Sequence, residues 1–104
     1  MKKSHKKAIK LFSKKAKDTL KTNLEDILIY GSVSRREYTD DSDIDIIVIV
    51  KKNTFKSQMA LSSIAFDVLL ETGEYISVQT FKKRDLQKDT IFMNNVRGEA
   101  IHAV

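Results

Sequence analysis

Ile44-Asp45-Ile46-Ile47-Val48-Ile49-Val50 places six β-branched aliphatic side chains and one carboxylate in seven consecutive positions. A strand with one wetted face alternates apolar and polar residues, so a run apolar at every other position and also between them belongs to a strand covered on both faces. The stretch predicts the central strand of a sheet that is layered with helices. Asp45 stands near its start, where packing alone gives no reason for a charge.

Working upstream, Leu24–Tyr30 turns apolar and β-branched and stops at Gly31, which reads as a first strand. Before it, residues 4–20 carry Ile9, Phe12, Ala16 and Leu20 at spacings of three and four, a helical stripe, with Lys6, Lys10, Lys14 and Lys17 expected on the opposite side. Residues 32–37 read as a short helical turn capped at Ser32, and 38–42 as a polar loop. Downstream of the central strand, residues 51–54 form a turn and Phe55–Thr72 a helix stopped by Gly73. Its polar residues Lys56, Ser63, Asp67 and Glu71 make a narrow stripe flanked by Met59, Ile64, Phe66, Leu69 and Leu70, so that helix is expected to be largely buried. Residues 75–81 read as a third strand, 84–89 as a short helical turn and 90–97 as a last helix. Alternating helices and strands of these lengths predict a small α/β (α+β) domain, a mixed sheet of about three to four strands with helices packed on it. Strand directions stay open at this point.

With 104 residues, 41% hydrophobic and 32% charged, the chain has the material for one domain, expected to span residues 1–104. Its longest uninterrupted aliphatic run, 46–50, is far short of the roughly 20 residues that span a bilayer, and no apolar segment of a secretory signal follows the basic start. The absence of cysteine excludes disulfides and thiolate metal sites and fits a cytoplasmic protein. The net charge of +5 is uneven: residues 1–22 hold nine lysines against the single acid Asp18, leaving the remainder mildly acidic. This Lys-rich amphipathic helix reads first as a solvated face, with attraction to a polyanion as the alternative.

The chemistry concentrates in Gly31-Ser32, followed ten residues later by Asp43-Ile44-Asp45. Residues two apart on a strand share a face, so the two carboxylates are expected side by side at the start of the central strand. Such a pair repels itself unless cations neutralise it, and Mg²⁺ suits one or two carboxylates completed by water and phosphate oxygens. A glycine at a strand end admits close approach of a ligand, and the helix start after it would direct N–H groups at phosphate, with Arg35 and Arg36 adding positive charge. A phosphate cradle beside a carboxylate pair is the apparatus of metal-assisted phosphoryl or nucleotidyl transfer. A calcium loop does not fit, because its glycine position holds Ile46 and its distal Glu position Lys52. No Gly-Lys-Ser/Thr sequence supports a Walker A loop, and His5 and His102 lack metal-ligand spacing.

The segment Ile29-Tyr30-Gly31-Ser32-Val33-Ser34-Arg35-Arg36-Glu37-Tyr38-Thr39-Asp40-Asp41-Ser42-Asp43-Ile44-Asp45-Ile46-Ile47-Val48 resembles the minimal nucleotidyltransferases of the DNA polymerase β superfamily. The close Asn94-Asn95-Val96-Arg97-Gly98-Glu99-Ala100-Ile101 is similar as well. The resemblance implies a polymerase β-like nucleotidyltransferase fold, with Gly31 and Ser32 on the triphosphate, and Asp43 and Asp45 holding Mg²⁺, two ions once nucleotide is bound. It further implies ATP or another nucleoside triphosphate as substrate. The implied product is a nucleoside monophosphate joined to an acceptor hydroxyl, which in such small proteins can belong to a helical HEPN partner for which they serve as antitoxin. A chain of 104 residues holds little beyond such a catalytic core, so substrate recognition is expected to need that partner or a homodimer.

The chain departs from its relatives in two places. Where they commonly read Gly-Ser-Arg-x-Arg-Gly, it has Val33 for the first arginine and Arg36 for the second glycine, and Arg35 keeps the other arginine. Many relatives also carry a third carboxylate on the strand corresponding to 75–81, where this chain has Ser77 and Gln79; Glu74 borders the strand, and Asp67 and Glu71 belong to the preceding helix. Two function classes follow: an enzyme, or a nucleotide-binding module with a weak site that regulates a partner by contact. Nucleic-acid binding through the Lys-rich helix is a third and weaker expectation, since no aromatic-rich basic surface accompanies it.

Overall fold

The computed structural model describes residues 2–31 and 43–103. Its elements follow the order α1 (Lys3–Leu20), a 3-10 turn (Lys21–Asn23), β1 (Leu24–Tyr30), β2 (Ile44–Val50), α2 (Phe55–Thr72), β3 (Ile76–Phe81), a second 3-10 turn (Lys83–Gln87), α3 (Ile91–Glu99) and β4 (Ile101–His102). The helical turn and loop expected over 32–42 lie outside the described residues.

The four strands form one mixed sheet in the order β3-β2-β1-β4. β1 is antiparallel to both β2 and β4, whereas β2 and β3 are parallel. β2 is thus interior, as its aliphatic run requires. Its even-numbered residues Ile44, Ile46, Val48 and Val50 pack with Ile27 and Ile29 beneath α1 and α2. Its odd-numbered Ile47 and Ile49 meet Leu28 and Val96 on the other face, under α3. Asp45 shares the odd parity and so belongs to the α3 face.

Local chemistry sets the ends of α2. Thr54 Oγ1 accepts from Ser57 N–H at 3.1 Å and the Thr54 N–H donates back to Ser57 Oγ at 3.2 Å, a capping box. At the other end Gly73, with φ +77°, donates its N–H to the Leu69 carbonyl at 2.8 Å.

The expectation that α2 is largely buried is wrong. Only Ser57, Leu61, Ile64 and Val68 are buried, a narrow stripe at helical spacing. Phe55, Met59, Phe66 and Leu70 are exposed, Phe55 by 78% and Leu70 by 70%. α1 and α2 lie together on one face of the sheet, with α2 packed against α1 and edge strand β3, so the sheet area left to α2 covers one stripe and no more. The fourth strand of the expected three to four is β4, whose place the sequence does not reveal, because two residues paired with Leu28 and Ile29 carry no periodicity to read. Among the described residues no helix is long and apolar enough to cross a membrane.

Candidate active site

β1 is followed at once by Gly31, whose φ of +79° is a conformation that costs L side chains strain. Space imposes a second demand. A Cβ on Gly31 would collide with Asp45 Oδ2 and stand 3.2 Å from its Cγ, so glycine is what allows the β1 backbone to lie directly on the Asp45 carboxylate. The pairing places Tyr30 opposite Asp45 on one side, and Ser77 opposite Asp45 on the other, followed by Gln79 opposite Ile47.

These residues open onto a cleft of about 110 Å³ lined by Tyr30, Asp45, Ile46, Ile47, Ser77, Gln79 and Phe92. Phe92 of α3 meets the Tyr30 ring edge-on at 5.6 Å between centroids and Phe81 at 6.0 Å, which closes the cleft's apolar side. Asp43 stands just before β2 and is exposed, outside that wall. The chain following it is tied to the sheet, since the Ile44 N–H donates to the Tyr75 carbonyl at 2.9 Å. Ser32, Arg35 and Arg36 lie outside the described residues.

Ser77 therefore occupies the register position beside Asp45, and Glu74 does not reach that cleft wall. Glu74 Oε2 is 3.6 Å from Nε2 of His5, a fully buried residue of α1, on the sheet face opposite the cleft. From sequence His5 reads only as a poor metal ligand; its pairing with Glu74 joins residues far apart in the chain, and no spacing signals it. Asp67 and Glu71 are exposed on α2, away from the cleft. His102 lies 3.1 Å from the Asp26 carboxylate at the β4 edge, also away from it.

Among the described residues no three His, Asp or Glu side chains gather as a metal cage. The donors on offer are Asp45, held against backbone that only glycine permits, and Asp43 two residues before it. That set fits a hard cation that takes one or two carboxylates and leaves its other positions to water and phosphate.

Comparison with known proteins bears on family and fold. The profile of the family described as "Polymerase beta, Nucleotidyltransferase" matches residues 7–97. A candidate protein adenylyltransferase of Methanocaldococcus jannaschii is 33% identical over 76 residues, 72% of this chain and 77% of the relative. The fold is shared with a toxin-antitoxin crystal structure containing AMP-PNP, at a TM-score of 0.66 and 16% identity over 99% of this chain and 73% of the other. It is shared too with a candidate nucleotidyltransferase from Sulfolobus solfataricus, at a TM-score of 0.56 and 19% identity over 98% and 86%.

Proposed function

We propose, from the premise that the chain belongs to the polymerase beta nucleotidyltransferase family, that this minimal nucleotidyltransferase moves AMP from ATP to a hydroxyl on a partner protein. The observation that carries the reading is the junction of Gly31 and Asp45, a carboxylate seated on backbone at the mouth of a cleft. In the reaction the acceptor oxygen attacks the α-phosphorus, the bond to the β-phosphate oxygen breaks, pyrophosphate leaves, and the acceptor's proton passes to a base. Asp43 and Asp45 would hold Mg²⁺, which supplies charge neutralisation of the triphosphate and of the leaving oxygen. Gly31 and Ser32 would contact the triphosphate, and Arg35 and Arg36 would add charge to it. The adenylyltransferase relative supports AMP as the group moved. The fold shared with a toxin-antitoxin component supports an antitoxin role beside a helical HEPN-type partner, with a homodimer as the other assembly. The cysteine-free composition and an ATP substrate suit the cytoplasm.

A second reading is favoured by one observation. Ser77 and Gln79 stand where a third acid would act, and Glu74 is turned to His5, so the cleft wall offers no base besides Asp45 among the described residues. A site of this kind binds nucleotide and transfers slowly, regulating a partner by contact.

Incubation with α-labelled ATP, Mg²⁺ and the product of the neighbouring gene separates the two. Label on the partner is the expected result, and stable association without label selects the binding module. Asp43→Asn with Asp45→Asn should abolish Mg²⁺-dependent ATP binding while circular dichroism stays that of the wild type. ATP affinity that survives the double change would remove these aspartates from the site.

A further inference from the structure

On the sheet face opposite Asp45, between α1 and the β1–β4 edge, lies a cavity of about 550 Å³, within the range of built ligand sites. Its walls are aliphatic, from Ile9 of α1, Ile29 of β1, and Ile101 and Ala103 at the end of the chain. Its rim is cationic. Lys6, Lys10, Lys14 and Lys17 line it at spacings of four, four and three residues, a row of about 16 Å along the helix. All four are exposed, and among the described residues none has an ion-pair partner. On the far wall stands His102, whose ring lies 3.1 Å from the Asp26 carboxylate, a group outside the cavity lining. The lysines expected to form a solvated face thus border an apolar cavity.

A second observation points to an occupant. Ser13 lines the same cavity, is 5% exposed, and its hydroxyl has no hydrogen-bond partner among the described residues. A buried hydroxyl left in that condition costs stability that a ligand acceptor would recover.

We infer that this face docks an acidic amphipathic segment of a partner protein. Its apolar side chains would enter the aliphatic cavity and its carboxylates would meet the lysine row. The shape of the charge decides among anionic ligands. A single headgroup needs one or two cations, whereas four repeated at the helical period match a segment lying along α1. A nucleic-acid backbone supplies the charges but no apolar side chains for Ile9, Ile29 and Ile101. The surface lies across the sheet from the cleft and does not depend on the transfer reading, so a docked segment leaves the Asp45 cleft open.

The test uses the full chain and a fluorescein-labelled 15-residue peptide with Leu at helical a and d positions and Glu flanking them. Controls are a scrambled peptide of the same composition, a 20-base-pair DNA duplex and phosphatidylglycerol vesicles. Binding of the amphipathic peptide at least tenfold tighter than the scrambled one is expected, with amide NMR shifts at Lys6, Ser13, Ile101 and His102. Lys10→Glu with Lys14→Glu, at exposed positions, should weaken it at least tenfold, with Lys→Arg at both sites restoring it and ATP affinity unchanged throughout. Equal binding of the two peptides, a preference for DNA or vesicles, shifts confined to the exposed Phe55, Met59, Phe66 and Leu70 face, or no binding would each overturn the assignment.

Discussion

Gly31 and Gly73 share nearly the same backbone angle, φ +79° and +77°, but differ in surroundings. A Cβ at Gly73 would meet nothing within 4 Å, whereas at Gly31 it would strike the Asp45 carboxylate. Gly73→Ala should therefore cost only the left-handed strain, about 1–2 kcal/mol, and leave nucleotide affinity alone. Gly31→Ala should cost at least as much in urea melts, and should also move Asp45 and weaken Mg²⁺-dependent ATP binding by an order of magnitude or more. Equal effects of the two changes on ATP binding would detach Gly31 from the site. At this scale strand parity was legible for Asp45, which lies on the α3 face of β2, whereas Asp43 stands before the strand, exposed and outside the cleft wall. The Glu74–His5 pair was not legible, because it joins residues far apart in the chain and its His sits in a helix that reads as lysine-rich surface.

Among the elements, helix and strand ends were more legible than faces. Thr54 and Gly73 announce where α2 starts and stops, since caps are local chemistry. Which of its apolar residues are covered depends on how much sheet lies beneath it, and sequence periodicity does not contain that area. The turn after β3 is also held by local chemistry. Asp85 Oδ2 accepts from the Lys82 N–H at 2.9 Å and Oδ1 lies 3.1 Å from Lys88 Nζ. These contacts, the backbone bond first, hold the Asp85 carboxyl below its ordinary value of 3.8 despite an opposing contribution from burial. A depressed carboxyl favours the folded state above its unfolded value, and that contribution fades as pH falls through the folded value. Asp85→Asn should thus lower thermal stability at pH 7 and narrow its difference from wild type as pH falls below the ordinary 3.8 and on through the depressed folded value. A difference constant from pH 7 to pH 2 would show that the charge contributes nothing.

At the scale of the whole molecule, the decisive fact is the strand order, which sets β2 between an antiparallel β1 and a parallel β3. Gly31 and Ser77, on different neighbours of β2, are thereby brought to the two sides of Asp45. The parallel register puts Ser77 directly across from Asp45. The Ser77 hydroxyl cannot serve as a base at neutral pH, so that side of Asp45 offers nothing to take an acceptor's proton. Ser77→Asp would set a second carboxylate across from Asp45. Without metal, the repulsion between two close carboxylates should lower the melting temperature. Added Mg²⁺ should restore it, and by more than it changes the wild type. With Mg²⁺ and ATP the same variant should transfer AMP faster, up to the roughly 10² to 10⁴-fold that a positioned base supplies. Stabilisation by Mg²⁺ without faster transfer would make position 77 a metal neighbour but not the site of the missing base. No response of either kind would mean that the β2–β3 register does not bring position 77 to the reacting atoms.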